Sequence, residues 1–143
     1  MVNPCIFSSF IFLTNAASAV YFKHFIYGTV FFILALTSII HHSLYKNWTK
    51  LIDRSFAYSI IVIGGIVFAK KILYAPITDF IKYVRFNGIS LAIIVTFALT
   101  VFLYALGYSC NKFCFDKNIP VSQRWHALMH LVASVGHHMI VWL

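Results

Sequence analysis

The sequence predicts an all-α fold, a polytopic membrane bundle of about five transmembrane helices, and three observations carry that prediction. Of its 143 residues, 62% are hydrophobic and only 10% are charged, against roughly 25% charged in a soluble globular domain. Mean hydropathy is +0.88. The charged residues gather at the edges of long apolar runs, each close to the roughly 20 residues a helix needs to cross a bilayer core about 30 Å thick. This composition excludes an ordinary soluble domain, and the length leaves room for a single transmembrane domain over residues 1–143 with short loops.

No charged side chain precedes Lys23, so the first span lies within residues 5–22. Ala17-Ser18-Ala19 resembles a signal-cleavage site, but no basic residue stands before the apolar stretch, and the segment reads as a retained helix. Its Thr14, Asn15 and Ser18 should face protein, because lipid offers them no partner. The second span, 25–45, is interrupted only by His41 and His42 near its end. Lys46-Asn47-Trp48-Thr49-Lys50 forms a polar turn with Thr49 as helix cap. The third span follows over 51–74 and is closed by Pro76. Residues 76–86 hold Asp79, Lys82 and Arg85 among aromatics and read as an interfacial segment. The fourth span is 88–108, and after a polar turn at 111–120 the fifth runs over 122–143, carrying His126, His130, His137 and His138.

Eleven basic residues face three acids, Asp53, Asp79 and Asp116, for a formal charge of +8. The basic residues stand singly or in pairs at span edges, where long cationic side chains snorkel to headgroups. They do not form the patch a nucleic-acid partner needs. Lys46, Lys50, Arg54, Lys112, Lys117 and Arg124 fall on the N-terminal side of the membrane, and Lys23, Lys70, Lys71, Lys82 and Arg85 on the other. So even a division gives no orientation by the positive-inside rule. Cys5, Cys110 and Cys114 are too few for a disulfide framework or a four-cysteine zinc site.

Because five helices alternate in direction, the end of the second span and the starts of the third and fifth share one face of the membrane. The unusual polar residues are there. Ser38 lies one turn from His42, Asp53 is in the first turn of the third span, and His126 and His130 share a face at the start of the fifth. An i, i+4 pair sets two imidazoles about 6 Å apart along the helix axis, and a third histidine from the facing helix would complete a three-histidine zinc site. Three protein ligands leave the fourth tetrahedral position for water, the arrangement of a catalytic zinc. Asp53 is placed to orient or deprotonate that water and Ser38 to donate to a developing oxyanion. His41 competes with His42 for the third place, since both lie about one turn from Ser38. His137, two turns beyond His130, either lines the cavity or makes a helix-to-helix hydrogen bond. His138 reads as an interface residue, and His24 as part of a turn.

These motifs resemble the CREST superfamily of membrane hydrolases and receptors, and most closely its alkaline ceramidases. That family carries Ser-x-x-x-His on the second helix, an Asp at the start of the third, and His-x-x-x-His on the last. Here the matching residues are Ser38 and His42, then Asp53 eleven positions later, then His126-Ala127-Leu128-Met129-His130. The eleven-residue step selects His42 over His41. Gly136, six residues after His130, and the Phe113-Cys114 pair before the last helix are similar too, and Asn15 and Ser18 resemble a polar motif of the family's first helix. The resemblance implies zinc held by His42, His126 and His130, with Asp53 and Ser38 catalytic, and hydrolysis of a lipid amide such as ceramide.

The chain departs from the family in three ways. It has five expected spans where the family usually has seven, which removes a wall of the lipid pocket while leaving the last helix in its original direction. No carboxylate side chain precedes Asp53, so the family's N-terminal calcium cluster is absent, and Cys110 stands where an acid is expected. Two other readings accompany the hydrolase. One is a bis-histidine haem membrane protein, which accounts for seven histidines but gives Asp53 and Ser38 no role. The other is a non-catalytic relative or small subunit of a membrane complex, in which a metal only staples helices. A five-helix cavity also suggests a homo-oligomer or a complex partner.

Overall fold

A computed structural model describes residues 3–75 and 80–143. The fold is an all-α bundle, with six helices among the described residues: α1 (Pro4–Ser9), α2 (Ile11–Tyr21), α3 (Phe25–Leu44), α4 (Asn47–Leu73), α5 (Phe80–Cys110) and α6 (Ile119–Trp142). A 3₁₀ turn over Phe113–Phe115 joins the last two.

The expected first span is two helices in line. Asn3 caps α1, its Oδ1 accepting from the Cys5 amide at 3.0 Å, and Pro4 follows where its missing N–H costs nothing. At Phe10 the hydrogen bonds shift to the i−3 pattern, Phe10 N–H to Phe7 and Leu13 N–H to Phe10, so the chain tightens without leaving the helical region. The turn into α3 puts Lys23 in the left-handed region (φ 64°) and returns the His24 amide to the Ala19 carbonyl at 2.8 Å, a wrapped helix end. The hairpin is close because Gly28 faces α2. A Cβ there would sit 2.7 Å from Val20 Cγ2 and 3.0 Å from the Ala16 carbonyl.

Tyr45, left-handed at φ 51°, ends α3, and α4 begins at once at Asn47 with Lys46 as its extended cap residue. Thr49 is therefore in the first turn of α4 rather than capping it, and its hydroxyl donates to the Lys46 carbonyl at 2.7 Å. Helix α5 also begins earlier than expected. Residues 80–86 belong to this long helix instead of a separate interfacial segment, while Pro76 and Asp79 lie outside the described residues. Asn118 caps α6 by accepting from the Val121 amide, with Pro120 in the first turn.

Among the described residues, four segments are long and apolar enough to cross a membrane: Pro4–Tyr21, Phe25–Leu44, Asn47–Leu73 and Lys82–Phe115. The fifth expected span, α6, is not one of them. It is 24 residues long, about 36 Å, but its polar side chains lower its hydropathy, and it packs against α1, α2, α4 and α5 as the interior helix of the bundle. Its polar groups find partners there. Asn15 donates to the Ser134 carbonyl at 3.0 Å and accepts from the Ser134 hydroxyl at 2.6 Å, with both residues buried. Thr14 pairs with His138 Nε2 at 3.0 Å, and Ser18 accepts from Trp142 Nε1 at 3.3 Å. All three polar residues of the first span thus face α6, and His138 is a helix-to-helix contact rather than an interface residue.

The core joins Phe12, Ala16, Tyr27, Phe31, Leu34, Ile93 and Ile140 from α2, α3, α5 and α6. Helix α4 packs on α3 and α5 on α6, whereas the backbones of α4 and α5 stand apart among the described residues and the two helices meet through side chains, Tyr58 with Tyr104. Ile61, Val62, Ile66, Ile94, Val95 and Phe97 stay exposed on this pair. Such a surface suits lipid and would be an aggregation hazard in water.

Candidate metal centre

The end of α3, the start of α4, the start of α6 and the N-terminus of α1 converge on one end of the bundle. His42, His126 and His130 each present a ligand nitrogen there, and all three nitrogens lie within 4.8 Å of one another. The ring centroids are 5.0 Å apart for His42 and His126, 5.5 Å for His42 and His130, and 4.7 Å for His126 and His130. His42 and His130 are buried, and His42 Nε2 is fully enclosed without a hydrogen-bond partner. A buried polar nitrogen without a partner costs free energy, and an ion at the centre of the three rings would satisfy it. Imidazole nitrogens are ligands of zinc, at about 2.0–2.1 Å, and small side-chain rotations bring three of them around one ion. The donor set therefore fits the metal that the sequence motif implies.

His41 lines the cavity but stays outside the cluster of nitrogens. Its Nδ1 lies 3.1 Å from Thr49 Oγ1, whose own proton is given to Lys46, so His41 donates and is fixed at the α3–α4 corner. The helix itself makes the choice, because adjacent residues on a helix point about 100° apart and only one can face α6.

Asp53 and Ser38 are both buried and line the same cavity as the triad. One carboxylate oxygen of Asp53, Oδ1, is enclosed and unpartnered, and the Ser38 hydroxyl is close enough to interact with the carboxylate. Ser38 in turn sits 2.9 Å from Ser9 Oγ. Of the five residues expected at the site, the three histidines are thus clustered, and Asp53 and Ser38 line the cavity they share.

The sequence reading missed a layer supplied by α1. Ser8 Oγ is 2.9 Å from His130 Nδ1, which leaves Nε2 as the free nitrogen of that ring. Second partners of this kind fix the tautomer and orientation of metal-binding histidines. Cys5 is buried and donates its thiol to the Gln123 carbonyl at 3.2 Å, holding α1 on α6. The only signal in the sequence was Ser8-Ser9 within an otherwise apolar run. Cys110 is exposed at the end of α5 and does not line the cavity, whereas Cys114 does.

From the triad a cavity of about 610 Å³ extends toward the middle of the bundle, walled by apolar side chains including Phe31, Leu34, Ile60, Ile93, Phe97 and Ile140. His137 lines it and is also hydrogen-bonded to the Tyr27 hydroxyl, so both readings of that residue hold. The cavity has walls on α4 and on α5, whose backbones stand apart. The chain matches no protein-family model, no curated protein and no solved structure.

Proposed function

We propose that the chain is a multi-pass membrane protein, a shortened relative of the alkaline ceramidases in the CREST superfamily. In this reading it hydrolyses an amide bond of a membrane lipid such as ceramide, with one zinc ion held by His42, His126 and His130. The observation that carries the reading is the convergence of three histidine nitrogens in an apolar cavity that a buried carboxylate and a buried hydroxyl also line. Three imidazole nitrogens gathered within 4.8 Å of one another suit a single ion, whereas a bis-histidine haem takes two, one on each face.

Zinc, when bound, supplies Lewis-acid chemistry, polarising an amide carbonyl and raising the acidity of water. The protein's own residues do the rest. Asp53 accepts a proton as a water oxygen bonds to the amide carbon, then returns it to the nitrogen as the carbon–nitrogen bond breaks, giving a fatty acid and an amine. Ser38 donates its hydroxyl proton to the oxygen on which charge develops. Ser8 holds the His130 ring in orientation, and the apolar cavity takes the acyl chain while keeping water from the site. A dimer or a partner subunit that covers the open side between α4 and α5 belongs to the same proposal.

The test is hydrolysis of ceramide and other lipid amides by zinc-loaded full-length protein in detergent or bilayer discs. The expected result is turnover that Asp53→Asn lowers by roughly 10²–10⁴-fold with zinc content unchanged. Zinc-loaded, well-folded protein that cleaves no lipid amide would overturn the catalytic reading in favour of a metal that staples helices.

A further inference from the structure

A polar pair is built into the apolar part of the cavity, away from the histidine centre. His137 lies seven residues beyond His130 on α6, about 10 Å along the axis and on the same face. It lines the cavity together with Phe31, Ile60, Ile93 and Ile140. An ionisable side chain within a membrane bundle is costly and usually serves a function.

Three helices make this pair. Tyr27 of α3, only 1% exposed, is hydrogen-bonded to His137 Nδ1. Gly64 of α4 leaves the space for it, since a Cβ there would sit 2.7 Å from the Tyr27 hydroxyl and 3.0 Å from His137 Cε1. Among the described residues the Tyr27 hydroxyl has no other partner, and a buried O–H left unpaired is expensive, so its proton goes to Nδ1. A neutral imidazole that accepts at Nδ1 carries its own proton on Nε2. No described residue accepts that proton, and His137 therefore offers a donor to whatever fills the cavity.

An acceptor stands on the facing helix. Thr96 of α5 lines the same cavity and gives its hydroxyl proton to the Ile93 carbonyl at 2.9 Å, which leaves its oxygen able to accept. It lies against Gly136, the residue before His137, where an added Cβ would come within 2.6 Å of Thr96 Oγ1. A donor on α6 and an acceptor on α5 suit a hydroxyl group, which accepts from one and donates to the other. A plain hydrocarbon chain would leave the His137 N–H without a partner.

Depth gives the position of that hydroxyl. An extended chain advances about 3.6 Å for every three bonds, so about 10 Å spans roughly eight or nine bonds from a carbonyl held at the histidine centre. We propose, on the reading that a lipid amide places its acyl chain in this cavity, that His137 selects chains hydroxylated at about the ninth or tenth carbon. Tyr27 is the positioning residue, fixing the tautomer and the direction of the ring.

The test is native mass spectrometry of delipidated full-length protein titrated with stearoyl ceramide and with the same lipid hydroxylated at mid-chain or at the chain end. Asp53→Asn is the parent, so that bound lipid is not turned over. The mid-chain hydroxyl form should bind about tenfold more tightly than the other two. Adding His137→Leu should bring that ratio to about one, and adding Tyr27→Phe should lower it by roughly threefold. The ratio compares ligands within one variant, so a general loss of stability cancels. Equal binding of the three ceramides in the parent, or a preference that survives His137→Leu, would overturn the inference. A chain-end hydroxyl bound as tightly as the mid-chain one would overturn it too. Retention of none of the three would overturn it together with the lipid-amide reading. The mid-chain preference in a protein that cleaves nothing when loaded with zinc would support the inference and overturn hydrolysis alone.

Discussion

In the segments Pro4–Tyr21 and Phe25–Leu44, 39% of the membrane-length window is buried within the protein, whereas in those of α4 and α5 the share is 11%. The tight half is made by small residues and polar pairs: Ala16, Ala19 and Gly28 let α2 and α3 approach, and Asn15 with Ser134 joins α2 to α6. The open half consists of two long apolar helices, α4 leaning mainly on α3 and α5 on α6, with both lining the cavity. The difference separates two tasks. Histidines that must share one point need a rigid frame, and α3 and α6 provide it. Entry of the proposed lipid chain calls for a looser wall, and α4 and α5, whose backbones stand apart, supply it.

Substitutions can test the contrast directly, and the largest stability effect belongs to the tight half. Asn15→Leu removes both hydrogen bonds to Ser134 and leaves a buried hydroxyl and carbonyl unserved, which should cost about 1–3 kcal/mol per lost partner in detergent unfolding. Gly28→Ala should destabilise by about 1–3 kcal/mol, because the new methyl meets the Ala16 carbonyl and Val20. The same change at Gly65 in α4, where an added Cβ meets nothing within 4 Å, should be neutral or gain up to about 1 kcal/mol from helix propensity. Equal costs at Gly28 and Gly65 in a thermal-shift series would break the comparison. Ser8→Ala is smaller again in its effect on the fold. It removes the partner of His130 Nδ1 and should weaken zinc binding by roughly 10- to 100-fold with little change in melting temperature, read by competition with a chelator.

Much of this arrangement was legible in the sequence because it rests on local spacing. Charge gaps located the helices to within a few residues at most ends, and i, i+4 relations placed Ser38 with His42 and His126 with His130. The alternating direction of the spans then brought the three elements to one end. What could not be read depends on contacts between distant segments. Ser8 meets His130 across 122 positions, and no periodicity marks that pairing. The tightening at Phe10 involves neither Gly nor Pro, so the first span read as one helix. The separate interfacial segment was expected from Lys82 and Arg85, yet on a helix these cations sit at the membrane edge of α5 without interrupting it. The gap between α4 and α5 has no signature in either helix, since an apolar face reads the same whether it meets lipid or protein.

Whether His42, His126 and His130 form the proposed metal centre is read from the metal content of the protein. Zinc is to be determined by mass spectrometry on detergent-purified full-length protein expressed with metal supplied, alongside His42→Ala, His126→Ala, His130→Ala and His41→Ala. About one zinc per chain is expected in the wild type and in His41→Ala, and its loss in each of the other three. Well-folded wild-type protein without zinc, or zinc lost with His41 and kept without His42, would contradict it.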